Sequence, residues 1–274
     1  MHIQLTISLS DEETRAILMA ELEEEGAEGF EESETSLLAY FRVSAFNEIS
    51  VAEKLAKRGV VYDKKEIEET NWNALWESNF QPVSVDDFLY IRADFHPPAE
   101  GFAHELVITP KMSFGTGHHA TTWLMANAMR KIDFSNKTVF DFGTGTGILA
   151  ILASRLGAAR VWAIDNDRWS IENGKENLTR NAVNNIDIQL ADTFSKEGEA
   201  FDIILANINK NVILDHISRL ASRLKKTGVL LLSGLLSTDE ADIRLAASIQ
   251  GLEITERNEK DNWLCLKASF SGTQ

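Results

Sequence analysis

The chain has no cysteine pair, no excess of positive charge and no long apolar run, and each lack removes a class of protein. Cys265 is the only cysteine, so an intramolecular disulfide is impossible. Lys and Arg number 27 against 42 Asp and Glu, a net charge of -15. Nucleic-acid scaffolds need clustered cations for phosphate contacts, so direct binding of nucleic acid is not expected. The acidity suits a basic partner as well as it suits plain solubility. A bilayer-spanning helix needs about 20 apolar residues, and none is present. Asp11, Glu12 and Glu13 follow the first short apolar stretch, which leaves no secretory core segment, and a cytoplasmic protein is expected. His118 and His119 are adjacent, but His2, His96, His104 and His216 are scattered and no cysteine cluster accompanies them. A zinc set cannot be assembled from such spacing, and no metal is expected.

What the chain does have is the run Val139 to Gly147, V-F-D-F-G-T-G-T-G. Val139, Phe140 and Phe142 are the residues of a buried strand, and a helical stretch from Ile148 to Leu156 begins directly after Gly147. A strand that turns at once into a helix needs the torsional freedom of Gly143 and Gly145, and the helix N-terminus then offers unpaired N–H groups to a ligand. The third glycine comes one residue too early for a dinucleotide fingerprint, and no Gly-Lys-Ser/Thr follows to make a phosphate-binding loop. Asp165 ends the next apolar run, Val161 to Ile164, where an acid can accept hydrogen bonds from two ribose hydroxyls. Together these elements describe a nucleoside pocket.

Residues 1–70 read as strand, helix, two strands, helix, strand, the βαββαβ order of a ferredoxin-like α+β domain. Ser10 and Glu13 form a capping box for its first helix, which stops at Gly26. The acidic run from Glu21 to Glu34 is a solvated helix end and turn, or a docking surface for a basic protein. Residues 71–82 form a linker helix with Trp72, Leu75, Trp76 and Phe80 on one stripe, ended by Pro82. The stripe packs on a domain or lines a groove. Residues 83–274 alternate strands and helices, giving an α/β, doubly wound, mostly parallel sheet whose ligands belong at the carboxyl ends of the strands. Strands are expected over 88–93, 105–109, 186–190, 201–205 and 228–233, and around 252–255 and 263–268. Helices are expected from His118 to about Lys131, from Asp167 to Asn181, and from Thr238 to Ile249. Gly143, Asp165 and Asn207 all fall at strand ends. Asn207 is a strand-end cap or a group that aims a substrate. Asp192 meets an adenine amino group or caps a loop.

Asp141 to Gly147 with Asp165 resembles the S-adenosylmethionine site of class I methyltransferases. Phe114-Gly115-Thr116-Gly117-His118-His119-Ala120-Thr121-Thr122, Ala206-Asn207-Ile208 and the Trp72 to Pro82 linker are more particular, and with them the chain resembles the ribosomal protein L11 methyltransferase (PrmA) family. The family often has Pro where this chain has Ala120. The resemblance implies a Rossmann-like class I methyltransferase domain behind a small substrate-recognition domain. It also implies S-adenosylmethionine bound by Thr122, Gly143, Gly145, Asp165 and Asn207, with Asn207 also the catalytic positioning group. The implied reaction is methylation of lysine and N-terminal amines of a large-subunit ribosomal protein by a monomeric enzyme. A methyltransferase acting on RNA or another base nitrogen could also use Asn207, but would want a basic face. A nicotinamide-dependent oxidoreductase is disfavoured by the glycine spacing. A protein that holds the cofactor without catalysis is a third alternative, disfavoured by the complete set from Thr122 to Asn207.

Overall fold

In the computed structural model, residues 2–9, 11–33, 35–67, 81–109, 117, 119–195 and 197–272 are described. The linker over 71–80 and the loop residues Met112 to Thr116 and His118 lie outside them. The chain divides into two compact units, Met1–Phe80 and Gln81–Gln274.

The first unit runs β1 (His2–Ser8), α1 (Glu12–Glu24), β2 (Ala27–Glu32), β3 (Ser36–Arg42), α2 (Glu48–Lys57) and β4 (Val61–Ile67). The sheet order is β2-β3-β1-β4, with every neighbouring pair antiparallel. Ile3, Leu5 and Ile7 alternate with polar residues along β1 and bury one face against Leu18 and Leu22 of α1 and Val51 and Leu55 of α2. The cap of α1 differs from the expected box. Asp11, not Ser10, occupies the cap, its carboxylate accepting from the Thr14 N–H at 2.8 Å and the Thr14 hydroxyl at 2.5 Å.

The second unit begins with a three-stranded sheet, β5 (Val83–Val85), β6 (Leu89–Arg92) and β7 (His104–Val107). β5 is too short to stand out in the sequence. Next come α3 (Ala120–Met129), β8 (Thr138–Phe142), α4 (Ile148–Arg155), β9 (Arg160–Asp165), α5 (Arg168–Arg180), β10 (Ile186–Leu190), β11 (Phe201–Asn207), α6 (Lys210–Arg223), β12 (Leu224–Leu236), α7 (Glu240–Ile249), β13 (Leu252–Lys260) and β14 (Trp263–Phe270). The large sheet has the order β10-β9-β8-β11-β12-β14-β13, parallel from β10 to β12 and antiparallel at β14 and β13. β13 and β14 are longer than expected because Asp261 and Asn262, at φ +53 and +65, form the two-residue turn that suits strand twist.

Alternation along β8 divides the core. Val139 packs on one face with Leu149 and Ile151 of α4 and Met125 of α3, while Phe140 and Phe142 pack on the other with Ile213 and Ile217 of α6. The two layers are therefore fixed by a period of two in five residues. The chain winds outward from β8 through β9 to β10, then returns to β11 on the other side of β8. The order reverses between β8 and β11, and open α/β sheets bind ligands in the crevice at such a point.

Candidate functional site

A cavity of ≈ 560 Å³ opens at that crevice, walled by the ends of β8, β9, β10 and β11 and by residues of α3, β12 and β14. Gly143, Gly145, Asp165 and Asn207 line it, and so do Asn166, Asp167, Asp192 and Ile208. The glycine turn is knitted to the next strand. The N–H groups of Gly143 and Thr144 both donate to the Ile164 carbonyl, at 2.9 and 3.0 Å. Gly143, Gly145 and Gly147 have φ of +75, +55 and +80, so a side chain at any of them would strain the turn. At Gly143 an added Cβ would also lie 2.3 Å from Ile208 Cγ2.

Asp165 joins the two strand ends. One carboxylate oxygen accepts from the Gly145 N–H at 2.8 Å, and the other from the Asp167 N–H at 2.9 Å. Asp167 in turn caps α5 through the Trp169 and Ser170 N–H groups. Asp141 is buried beneath the turn and accepts from the Thr144 hydroxyl at 2.6 Å. Burial raises its pKa to about 7, opposed by the Thr144 hydrogen bond and reinforced by the Asp165 charge. The other Asp141 oxygen has no hydrogen-bond partner among the described residues.

A ladder of asparagines on α5 anchors the turn from the side. Asn177 donates to the Thr146 carbonyl and accepts from the Thr109 N–H, both at 2.9 Å. One turn on, Asn181 pairs with both the N–H and the carbonyl of Val107, at 2.9 and 2.7 Å. Spacing of four residues puts these amides on one helix face, where they serve the backbone that runs on from β7 as a neighbouring strand would.

Thr122 does not line the cavity. His119 caps α3 with extended torsions, so the helix starts at Ala120 rather than at His118, and its phase turns Thr121 to the wall. Thr122 is buried, and its hydroxyl has no partner among the described residues. His119 and Trp263 complete that wall as an edge-to-face pair with ring centroids 4.5 Å apart. Trp263 and Gly234 were not legible as site residues, since each sits far along the chain in an ordinary apolar stretch.

Asn207 ends β11 opposite Ser233 of β12. Its side-chain carbonyl oxygen is buried without a partner among the described residues, an unmet acceptor on a residue of the cavity wall. Asp165, Asp167 and Asp192 give the wall negative charge, and no Lys or Arg is among its described residues. Such a wall suits a cationic ligand and opposes a pyrophosphate. No group of three or more His, Cys, Asp or Glu among the described residues could hold a metal ion.

Known proteins agree with this geometry. The family model for ribosomal protein L11 methyltransferase (PrmA) matches residues 3–271. The ribosomal protein L11 methyltransferase of Porphyromonas gingivalis is 42% identical over 92% of this chain and 89% of its own length. The one from Phocaeicola vulgatus is 36% identical over 97% and 98%. A crystal structure of ribosomal protein L11 methylase from Lactobacillus delbrueckii subsp. bulgaricus superposes with a TM-score of 0.64 at 29% identity, covering 70% of this chain and 99% of that one. A methyltransferase from Pyrococcus furiosus, 15% identical with a TM-score of 0.52, shares the fold alone. Sequence match along almost the whole chain, and a glycine turn set at the switch point of a class I methyltransferase sheet, lead to one conclusion: the chain belongs to the ribosomal protein L11 methyltransferase (PrmA) family.

Proposed function

We propose that the protein transfers methyl groups from S-adenosylmethionine to lysine and N-terminal amino groups of ribosomal protein L11, the substrate in its relatives' names. The observation that carries the proposal is the place of Asn207 at the switch point, on the wall of one cavity with the glycine turn and Asp165.

The wall residues fit the cofactor. Its carboxylates suit a cation, the bare backbone at Gly143 and Gly145 admits close approach, and Asp165 retains lone pairs for ribose hydroxyls. Asp192 follows β10 on the same wall and is a candidate acceptor for an adenine amino group. Thr122, which follows Thr121 of the wall, is a further candidate contact on the family resemblance. S-adenosylmethionine supplies a methyl group on a cationic sulfur, which the lone pair of a neutral amine can take up. The work left to the chain is to prepare that amine. A lysine with a pKa near ~10.4 is mostly protonated at pH 7, and partial desolvation in the cavity favours its neutral form. Asn207 then accepts one amine N–H and aims the lone pair, while the proton leaves to water.

The first unit is the substrate-recognition module in this reading. Residues 1–80 carry 18 Asp and Glu against 7 Lys and Arg, the larger part of the net charge of the whole chain. That balance attracts a basic protein and repels RNA phosphates, which is why a nucleic-acid substrate is the weaker reading.

The test is transfer of tritium from methyl-labelled S-adenosylmethionine into unmethylated ribosomal components. Label in one small basic protein, removed by protease, is the expected outcome. Label removed by nuclease would overturn the protein substrate.

A further inference from the structure

Gly234 occupies the cavity wall at a kink in β12. The register of β12 with β14 slips between Ser233 and Leu235, and Gly234 has φ +80. A Cβ added there would lie 2.3 Å from the Ile208 carbonyl oxygen, 2.7 Å from the carbonyl carbon and 2.9 Å from the nitrogen. All three are backbone atoms, and the Ile208 N–H is tied to the Ser233 carbonyl at 3.1 Å. No rotation of a side chain can relieve the overlap. Gly143 closes on the same residue, where its own added Cβ would meet Ile208 Cγ2. Ile208 is therefore seated against two bare stretches of backbone, immediately after Asn207.

The Asn207 side-chain oxygen is buried without a partner among the described residues, and the Ile208 carbonyl lies against the bare backbone of Gly234. Asn207 and Ile208 put an amide oxygen and a carbonyl on consecutive residues, one acceptor for each N–H of a neutral primary amine.

We propose that Gly234 is a positioning residue: its missing side chain lets the Ile208 peptide lie against β12, so that the Ile208 carbonyl and the Asn207 amide oxygen together aim the substrate amine. This role rests on the amine-methylating reading above. A side chain at Gly234 moves the acceptor pair by the width of a steric overlap, and a misplacement of about 1 Å at a reacting centre costs on the order of 100-fold in rate.

The test is Gly234→Ala in the full chain, with cofactor affinity read by calorimetry and steady-state kinetics read on ribosomal protein L11. The expected result is S-adenosylmethionine affinity within about 2-fold of wild type, KM for the protein within about 3-fold, and kcat lower by at least ~30-fold. Gly251→Ala is the control for left-handed strain alone, since Gly251 has φ +75 and an added Cβ would meet nothing nearer than 4.0 Å. It should lower the melting temperature and leave kcat unchanged. Should Gly234→Ala fail to fold, Gly234→Ala with Ile208→Gly gives the obstructed peptide freedom to move aside. That double variant should fold, bind S-adenosylmethionine and turn over slowly compared with Ile208→Gly alone. Wild-type kcat in Gly234→Ala, or a double variant as fast as Ile208→Gly, overturns the positioning role while the methyltransferase reading stands. A wild-type protein that binds S-adenosylmethionine and methylates no protein amine overturns both.

Discussion

At the scale of single residues, the site is a set of polar groups whose needs the fold leaves unmet. Asn207 is the sharpest case, an acceptor buried on the cavity wall with no donor among the described residues. Asn207→Ala should lower kcat by about 100-fold or more with S-adenosylmethionine affinity largely kept, because the lost contact orients the amine. Equal turnover in mutant and wild type would sink the assignment. Asp141 makes a different prediction. Its carboxyl ionises near 3.8 in an unfolded chain and at about 7 in the fold, so the folded state holds a proton that the unfolded state has lost between those values. Stability from this group is full below pH 3.8 and falls as pH rises through 7, by on the order of 4 kcal/mol at most. Asp141→Asn should therefore gain stability relative to wild type between pH 5 and pH 8, measured as the difference in melting temperature. Parallel pH curves for the two proteins would show that Asp141 ionises freely.

At the scale of elements, α5 links the glycine turn to the backbone that leads from β7 to Thr109. Asn177 is fully buried and supplies a donor to Thr146 and an acceptor to Thr109. Asn177→Leu keeps the branched shape but strands both backbone groups, at about 1–3 kcal/mol each. Urea unfolding should show a loss of about 2–5 kcal/mol, and S-adenosylmethionine affinity should fall with it because the turn loses its lateral tie. A stable variant with unchanged affinity would mean that the turn holds itself. Much of this scale was legible in the sequence. The βα alternation, the strand ending at Phe142 and the acid closing β9 are short-range patterns, and they stand where expected. The strand β5 and the full length of β12 were not, because three residues carry too little periodicity and β12 extends past Ser233 only through a kink that leaves its pairing with β14.

At the scale of the whole molecule, charge is unevenly distributed, with 18 acidic against 7 basic residues in the first 80. If that stretch recruits a basic ribosomal protein, KM should rise several-fold between ~50 and ~300 mM salt while kcat holds, since exposed charges are screened beyond about a Debye length. A salt-independent KM would place recognition in apolar contacts instead.

The sequence by itself determined the glycine turn, the acid after it and the alternation that makes an α/β sheet, because each rests on interactions between near neighbours: torsional freedom, side-chain period, a helix start. Only the tertiary structure decided which distant residues share the cavity. The order β10-β9-β8-β11-β12-β14-β13 brings Asn207, Gly234 and Trp263 to the switch point beside Gly143. The His119 cap sets the phase of α3 and puts Thr121 rather than Thr122 on the wall. Burial is the largest cause that lifts the ionisation of Asp141, and burial is a property of the assembled core that no local stretch of chain contains.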